Sequence, residues 1–339
     1  MDKVLARDIN NFKVSFPLRD ELRGASFLIT GATGLIGSTL IRCLVALDEG
    51  IHIFAPVRNL AKVKMMFGEN FPGVDFMECN IMDIVDGAFG DIDYIVHCAA
   101  PTASRFFVEK PVETIDTIFN GTKAVLDYAR SHQVKGMVNL SSLEVYGTIL
   151  DDSAPVSENV QGYLDPLSVR SSYPMAKRAA ENLCVAYAKE YGVHVKTARL
   201  TQTTGAGIAK DDNRIIAQFA RLAAKGEDIV LHTKGDSARP YCYTIDSINA
   251  ILYILLKGAD GDAYNVANEE TYISARGMAE YLQKKFNPSI NVRVELGDNY
   301  GYAPATKLRL SSSKLRSLGW KPQYGLKEIF CSLMDYLEV

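Results

Sequence analysis

Apolar residues recur along this chain in two alternating rhythms. Short β-branched or apolar runs at 25–30 (ASFLIT), 51–57 (IHIFAPV), 74–79 (VDFMEC), 92–98, 136–142 (GMVNLSS) and 193–200 (VHVKTARL) read as buried strands. Between them, residues 35–48, 59–67, 111–132 and 173–191 carry apolar positions at helical intervals. Tyr173, Ala176, Ala180, Leu183 and Tyr187 fall three and four residues apart and so share one helix face. Strands that alternate with helices need crossover connections, which predicts an α/β fold with a doubly wound, mainly parallel sheet.

The rhythm changes at both ends. Residues 1–24 are polar and mixed and read as an N-terminal arm leading into the first strand. After about residue 201, Gly, Asp and Thr accumulate through 201–213 and residues 235–243 read as a loop. A helix is expected at 245–257 and a strand at 263–267. This divides the chain into the arm, a sheet domain at 25–200 and a smaller α+β lobe at 201–339, with a return to the sheet near 241–268. With no repeat or low-complexity linker between them, the two lobes are expected to pack closely around a cleft.

Composition narrows the function classes. Lys+Arg 37 against Asp+Glu 40 leaves a formal net charge of -3, without the basic surplus that a nucleic-acid footprint needs. The hydrophobic fraction of 47% with 23% charged is that of a globular protein. The longest apolar run, residues 250–256, is far too short to span a membrane. Six scattered cysteines without a C-x-x-C read as free thiols in a reducing compartment, so a cytoplasmic protein is expected. The five histidines have no partner at metal-ligand spacing, and no metal site is expected.

The first chemical motif, GATGLIG at 31–37, follows a strand and opens a helix. Its glycines, Gly31, Gly34 and Gly37, let the backbone turn tightly and approach a pyrophosphate. Thr33, Leu35 and Ile36 supply the amides of a helix N-terminus, where the dipole favours an anion. Arg58 ends the second strand, twenty-one residues after Gly37. An acidic residue there binds the ribose hydroxyl of NAD, whereas a cation suits the 2′-phosphate of NADP. A solvated surface charge is the plainer alternative for Arg58.

The second motif is Tyr173 and Lys177 in Y-x-x-x-K. Chance alone supplies such a pair in a chain of this composition, and Tyr253/Lys257 and Tyr281/Lys285 share the spacing. Only the first pair has a serine, Ser142, thirty-one residues upstream; the same offset before the others gives Leu222 and Ala250. A phenol of pKa about 10 is a poor base near neutral pH, and a nearby ammonium favours its ionised form. A serine hydroxyl can hold the same substrate oxygen. Such a trio removes a proton from an alcohol whose carbon gives hydride to a nicotinamide.

Together with HCAAP at 97–101, SSLEVYG at 141–147, ARPYCYTID at 238–246 and LGWKP at 318–322, these motifs resemble the extended short-chain dehydrogenases, in particular the nucleotide-sugar epimerase/dehydratase branch. The match runs over nearly the whole chain, and AAPTAS at 99–104 with Glu144 looks most like UDP-glucuronate decarboxylases. The resemblance implies a Rossmann sheet, bound NAD(P), a nucleotide-diphosphate-sugar substrate and a homodimer through helices 111–132 and 173–191. It makes Ser142, Tyr173 and Lys177 catalytic, with Glu144 beside them. Asn80 and Ile81 then touch adenine, and Ala99, Ala100 and Pro101 line the nicotinamide ribose. Arg105, Gln202, Arg214 and Arg239 become substrate ligands. Departures are Asn80 for an Asp, Ile118 and Gln202 for Asn, and Leu143 where dehydratases carry the Asp that protonates the departing hydroxyl. The expected activity is transient oxidation of the sugar at C4 followed by 4-epimerisation or C6 decarboxylation. Dehydration and NADPH-dependent reduction of a 4-keto sugar are the alternatives.

Overall fold

The structure, a computed structural model, describes residues 1–84, 89–296 and 306–337. Its first six strands are β1 (Ser26–Thr30), β2 (His52–Val57), β3 (Val74–Glu78), β4 (Tyr94–His97), β5 (Gly136–Ser142) and β6 (Val195–Leu200). The rest are β7 (Gln202–Thr204), β8 (Ile229–Leu231), β9 (Ala238–Tyr243), β10 (Ala263–Val266), β11 (Asn268–Ser274) and β12 (Val292–Val294). The helices begin with α1 (Lys3–Ser15), α2 (Leu35–Ala46), α3 (Leu60–Phe67), α4 (Ser104–Glu109), α5 (Pro111–Ser131) and α6 (Ser172–Tyr191). They continue with α7 (Ile215–Lys225), α8 (Thr244–Lys257), α9 (Ala275–Lys285), α10 (Ser313–Ser317) and α11 (Leu326–Leu337).

Seven strands form one sheet in the order β10-β6-β5-β4-β1-β2-β3, and every pairing is parallel. Because helices cover both faces, the strands are apolar on both, and alternate positions sort into two layers. Phe27, Ile29, Val96, Val138, Leu140 and Ala198 pack with α2 and α8, whereas Leu28, Ile95, Met137 and Val195 pack with α5 and α6. Strand order reverses between β1 and β4, which opens a crevice at their C-terminal ends, where ligands bind in such sheets. The doubly wound parallel sheet is therefore as the sequence predicts.

Two local expectations need correction. Residues 1–24 hold α1, capped by the Asp2 carboxylate, with Val4, Asp8, Ile9 and Phe12 buried. These four lie on one face and pack against α2, α8 and α11, although the segment is polar on average. Residues 235–243 are not all loop, since β9 sits between β7 and β11. Pro240 lacks the N–H of a central strand, but the pairing with β11 shifts register opposite it, and Thr271 Oγ1 accepts the Tyr241 N–H at 2.7 Å. The return to the main sheet is made by β10 alone, while β7, β9 and β11 form a small sheet of their own.

Candidate active site

The glycine loop is shaped by contact, not merely by turning. Gly31 follows β1 with φ +69°, and a Cβ there would lie 2.8 Å from the Ala99 nitrogen. A Cβ on Gly37 would stand 2.4 Å from the Gly31 carbonyl oxygen. Side chains at either position would collide with backbone and push the loop away from α2 or from the end of β4. Gly34 caps α2 without a side chain to accept the first-turn N–H groups, which stay available to an anion. This geometry fits a dinucleotide pyrophosphate. Thr33, Leu35 and Ile36 are half-buried around it.

The neighbouring strand ends converge on the same place. The Ala99 N–H donates to Thr30 Oγ1 at 3.2 Å, tying the segment after β4 to the end of β1. Ala100 packs beside Tyr173, and Pro101 is half-buried. Asn80 caps the turn Ile81–Asp83, and Ile81 is buried against α5, where a Cβ on Gly121 would meet its Cγ2 at 3.2 Å. Arg58 is exposed just beyond β2, beside Asn59, which caps α3. His97, at the end of β4, lies between Thr30 Oγ1 at 2.8 Å and Thr122 Oγ1 at 3.3 Å. Burial and the Lys177 charge press its pKa down to about 3, which keeps the ring neutral.

Ser142, Tyr173 and Lys177 are brought together at the end of β5. Ser142 Oγ accepts the Glu144 N–H at 3.2 Å, so its own proton is free to donate to the Tyr173 oxygen. Burial pushes the Tyr173 phenol up to about 12; the Ser142 bond and Arg170 pull it down, and Glu144 pushes it further up. Lys177 stands 6.0 Å from the Tyr173 ring centroid and donates to the Leu140 carbonyl at 2.6 Å. Burial lowers its pKa to about 8 against the opposing pull of Glu181. In the free protein the strongest pull toward phenolate is thus the serine hydrogen bond, where the sequence pointed to the ammonium.

Glu144 is half-buried and held by Arg170 at 3.0 Å. Leu143 turns instead into a small apolar cluster with Val145 and Tyr146. Neither Phe107 nor Arg170 is singled out by the sequence, yet Phe107 stacks on the Tyr173 ring at 4.2 Å and 11°. No local spacing signals this contact, because the two rings are 66 residues apart. Glu181, one turn beyond Lys177, is buried in a two-point bond to Arg199, whose Nη1 also reaches Tyr146 Oη.

Gln202, Arg214 and Arg239 line one cavity of about 380 Å³ with Ser104, Tyr241 and Asn213. Gln202 Oε1 is buried there without a partner, while Arg214 is fastened to Asp212 and to the Thr203 carbonyl. Ser104 opens α4, and Phe107 lies one turn further on, so a single short helix joins the cavity to the trio. Arg105 does not line this cavity; it is 85% exposed and pairs with Glu109 along α4. Among the described residues, no three His, Cys, Asp or Glu side chains gather as metal ligands, and no helix is long and apolar enough to cross a membrane.

Residues 27–267 match the model of the NAD dependent epimerase/dehydratase family. The chain belongs to this family. Among similar proteins, UDP-glucuronic acid decarboxylase 3 of Arabidopsis thaliana is 28% identical over 301 residues, which is 89% of this chain and 85% of that one. UDP-glucuronic acid decarboxylase 1 of Xenopus tropicalis is 30% identical over 301 residues, covering 89% and 69%. The solved UDP-glucuronic acid 4-epimerase of Bacillus cereus, in complex with UDP-glucuronic acid and NAD, superposes with a TM-score of 0.76 at 21% identity, over 92% of this chain and 99% of that one. The family model spans the glycine loop, the trio and Gln202, Arg214 and Arg239, and it ends just after β10.

Proposed function

We propose that this epimerase/dehydratase-family enzyme modifies a nucleotide-diphosphate sugar through transient oxidation at C4. The observation that carries the reading is the meeting of Ser142, Tyr173 and Lys177, with α4 running from Phe107, stacked on Tyr173, to Ser104 in the cavity of Gln202, Arg214 and Arg239. The guanidinium groups of Arg214 and Arg239 suit a diphosphate, and the Gln202 side chain lines the same cavity. Gly31, Thr33, Gly34, Leu35, Ile36 and Gly37 would hold the cofactor's pyrophosphate, Asn80 and Ile81 its adenine, and Ala99, Ala100, Pro101 and Lys177 its nicotinamide end. NAD(P) bound there supplies hydride transfer. Ser142 holds the sugar's C4 hydroxyl, and Tyr173 takes its proton, giving a 4-keto sugar. The Lys177 ammonium, 6.0 Å from the Tyr173 ring centroid, would favour the phenolate that accepts this proton.

Of the redox-neutral outcomes, 4-epimerisation needs nothing beyond this trio, and C6 decarboxylation gives Glu144 a task beside it. Dehydration lacks its acid, because Leu143 is apolar and buried. A second reading, an NADPH-dependent 4-keto-sugar reductase, is favoured by Arg58, whose exposed cation suits a 2′-phosphate. The deciding experiment incubates the purified protein, without added cofactor, with UDP-glucose, UDP-glucuronate and dTDP-glucose and weighs the products. Loss of carbon dioxide or an isomer of unchanged mass supports the reading, and loss of water assigns dehydration. Reduction of a separately supplied dTDP-4-keto-6-deoxyglucose by added NADPH, with the three other sugars left unchanged, assigns reduction. The mass of cofactor released on denaturation separates NAD from NADP. We also infer a cytoplasmic homodimer, with Val112, Ile115, Met175 and Val185 as exposed apolar positions of α5 and α6 at the contact. A monomer by sedimentation at micromolar concentration overturns the dimer.

A further inference from the structure

One charged side chain beside Tyr173 has no task in the chemistry above. Arg170 lies in the turn Val169–Ser171 that leads into α6, three residues before Tyr173. Its two terminal nitrogens grip the two carboxylate oxygens of Glu144 at 3.0 and 3.1 Å, a fork that fixes orientation as well as charge. Its guanidinium carbon also stands 5.0 Å from the centroid of Phe107. Phe107 is 2% exposed and lies flat on the Tyr173 ring. Two routes therefore lead from one guanidinium to one phenol, the first through a carboxylate and the second through a ring.

We propose that Arg170 is a positioning residue for Tyr173, neutralising Glu144 at a fixed place beside the phenol and, through Phe107, setting the plane of the tyrosine ring. This rests on Tyr173 being the base of the proposed reaction. Glu144 and Arg170 act on the Tyr173 oxygen with opposite sign, the carboxylate disfavouring the phenolate and the guanidinium favouring it. Locked together, they present a small net field; apart, either one shifts the phenol. The other charged or polar groups facing Tyr173 are Lys177 on its own helix and Ser142 from β5. From α4 and α5 it packs in one apolar cluster with Phe107 and Ile118, and the Arg105–Glu109 pair of α4 lies out in solvent.

The test is the pH profile of kcat/KM for the holoenzyme with whichever of UDP-glucose, UDP-glucuronate and dTDP-glucose it turns over. Replacement Arg170→Met leaves Glu144 unopposed and is expected to raise the basic-group midpoint by about half a unit or more. Replacement Glu144→Gln leaves Arg170 unopposed and moves the midpoint down. The double variant returns near the wild-type midpoint whatever its absolute rate, and Arg170→Lys, which keeps the charge but loses the fork, falls between wild type and Arg170→Met. A merely structural Arg170 lowers stability or rate without this opposed pair of shifts. An unmoved midpoint in Arg170→Met, or shifts of the same sign in the two single variants, overturns the proposal while Tyr173→Phe stays inactive. Full turnover by Tyr173→Phe, or no turnover of any of the three sugars by wild type, removes the reading beneath it instead.

Discussion

Toward α2 and α8, the central sheet presents Ile29, Val96, Val138, Leu140 and Ala198, and all pack into one apolar cluster. Toward α5 and α6, the alternating positions near the same strand ends are Thr30, His97, Asn139, Ser141, Thr197 and Arg199, all polar. Some are satisfied in place: His97 between two threonines, Arg199 on Glu181, and the Lys177 ammonium on the Leu140 carbonyl. Others are not. Both polar atoms of the Asn139 amide and the Ser141 hydroxyl are buried without a protein partner. One strand face thus packs against apolar helices, while the other meets α6, which carries Tyr173 and Lys177. Ser142, two residues beyond Leu140, ends β5 in the alternate register. The period of two that defines a strand keeps the two faces a single residue apart.

The comparison breaks first if chemistry does not depend on α6. Tyr173→Phe is expected to lower turnover by about 10³-fold or more, with an unchanged thermal midpoint. Steady-state rates beside a melting curve check both halves of this. On the apolar side, Ile29→Ala is expected to cost about 2–5 kcal/mol by urea unfolding and to leave the pH midpoint of activity in place. A shift of that midpoint would join the two faces that the structure separates.

The buried histidine sharpens the contrast by pH. The pKa of His97 is about 3 in the folded protein, against an ordinary value near 6.5, so the unfolded chain binds more protons between these limits. Stability is therefore expected to rise as pH climbs from about 3 to about 6.5. His97→Leu removes that part of the slope, as unfolding free energies at several acidic pH values will show. The smallest effect is expected at Asn139, which is 1% exposed. Exchange for leucine of similar volume removes two unpaired polar atoms and should change stability by no more than about 1 kcal/mol. A loss of several kcal/mol would mean that the amide is held by partners after all.

The parts of the molecule legible in the sequence are those where chemistry or geometry dictates spacing along the chain. The glycines at 31, 34 and 37 had to be small, and Tyr173 with Lys177 had to share a helix face near a serine-ended strand. What escaped reading depends on contacts across the fold. Phe107 and Arg170 look like ordinary surface residues until α4 and the turn before α6 fold against Tyr173. Glu181 and Arg199, eighteen residues apart in the chain, pair in the interior, where removing one partner is far costlier than at a surface. The helix at Lys3–Ser15 was hidden because its buried apolar residues, Val4, Ile9 and Phe12, stand in a segment that is polar on average.

The seventh strand of the main sheet has one more implication. Residues 263–266 lie at the far edge and hydrogen-bond to residues 197–200, although more than sixty positions separate them in the chain. The outer border of the main sheet is therefore supplied by polypeptide synthesised after the cavity-lining residues Gln202, Arg214 and Arg239. A gene cut at position 200 would yield a first fragment with an unprotected edge, prone to pairing with copies of itself. Co-expressing the second fragment should cure that by complementation.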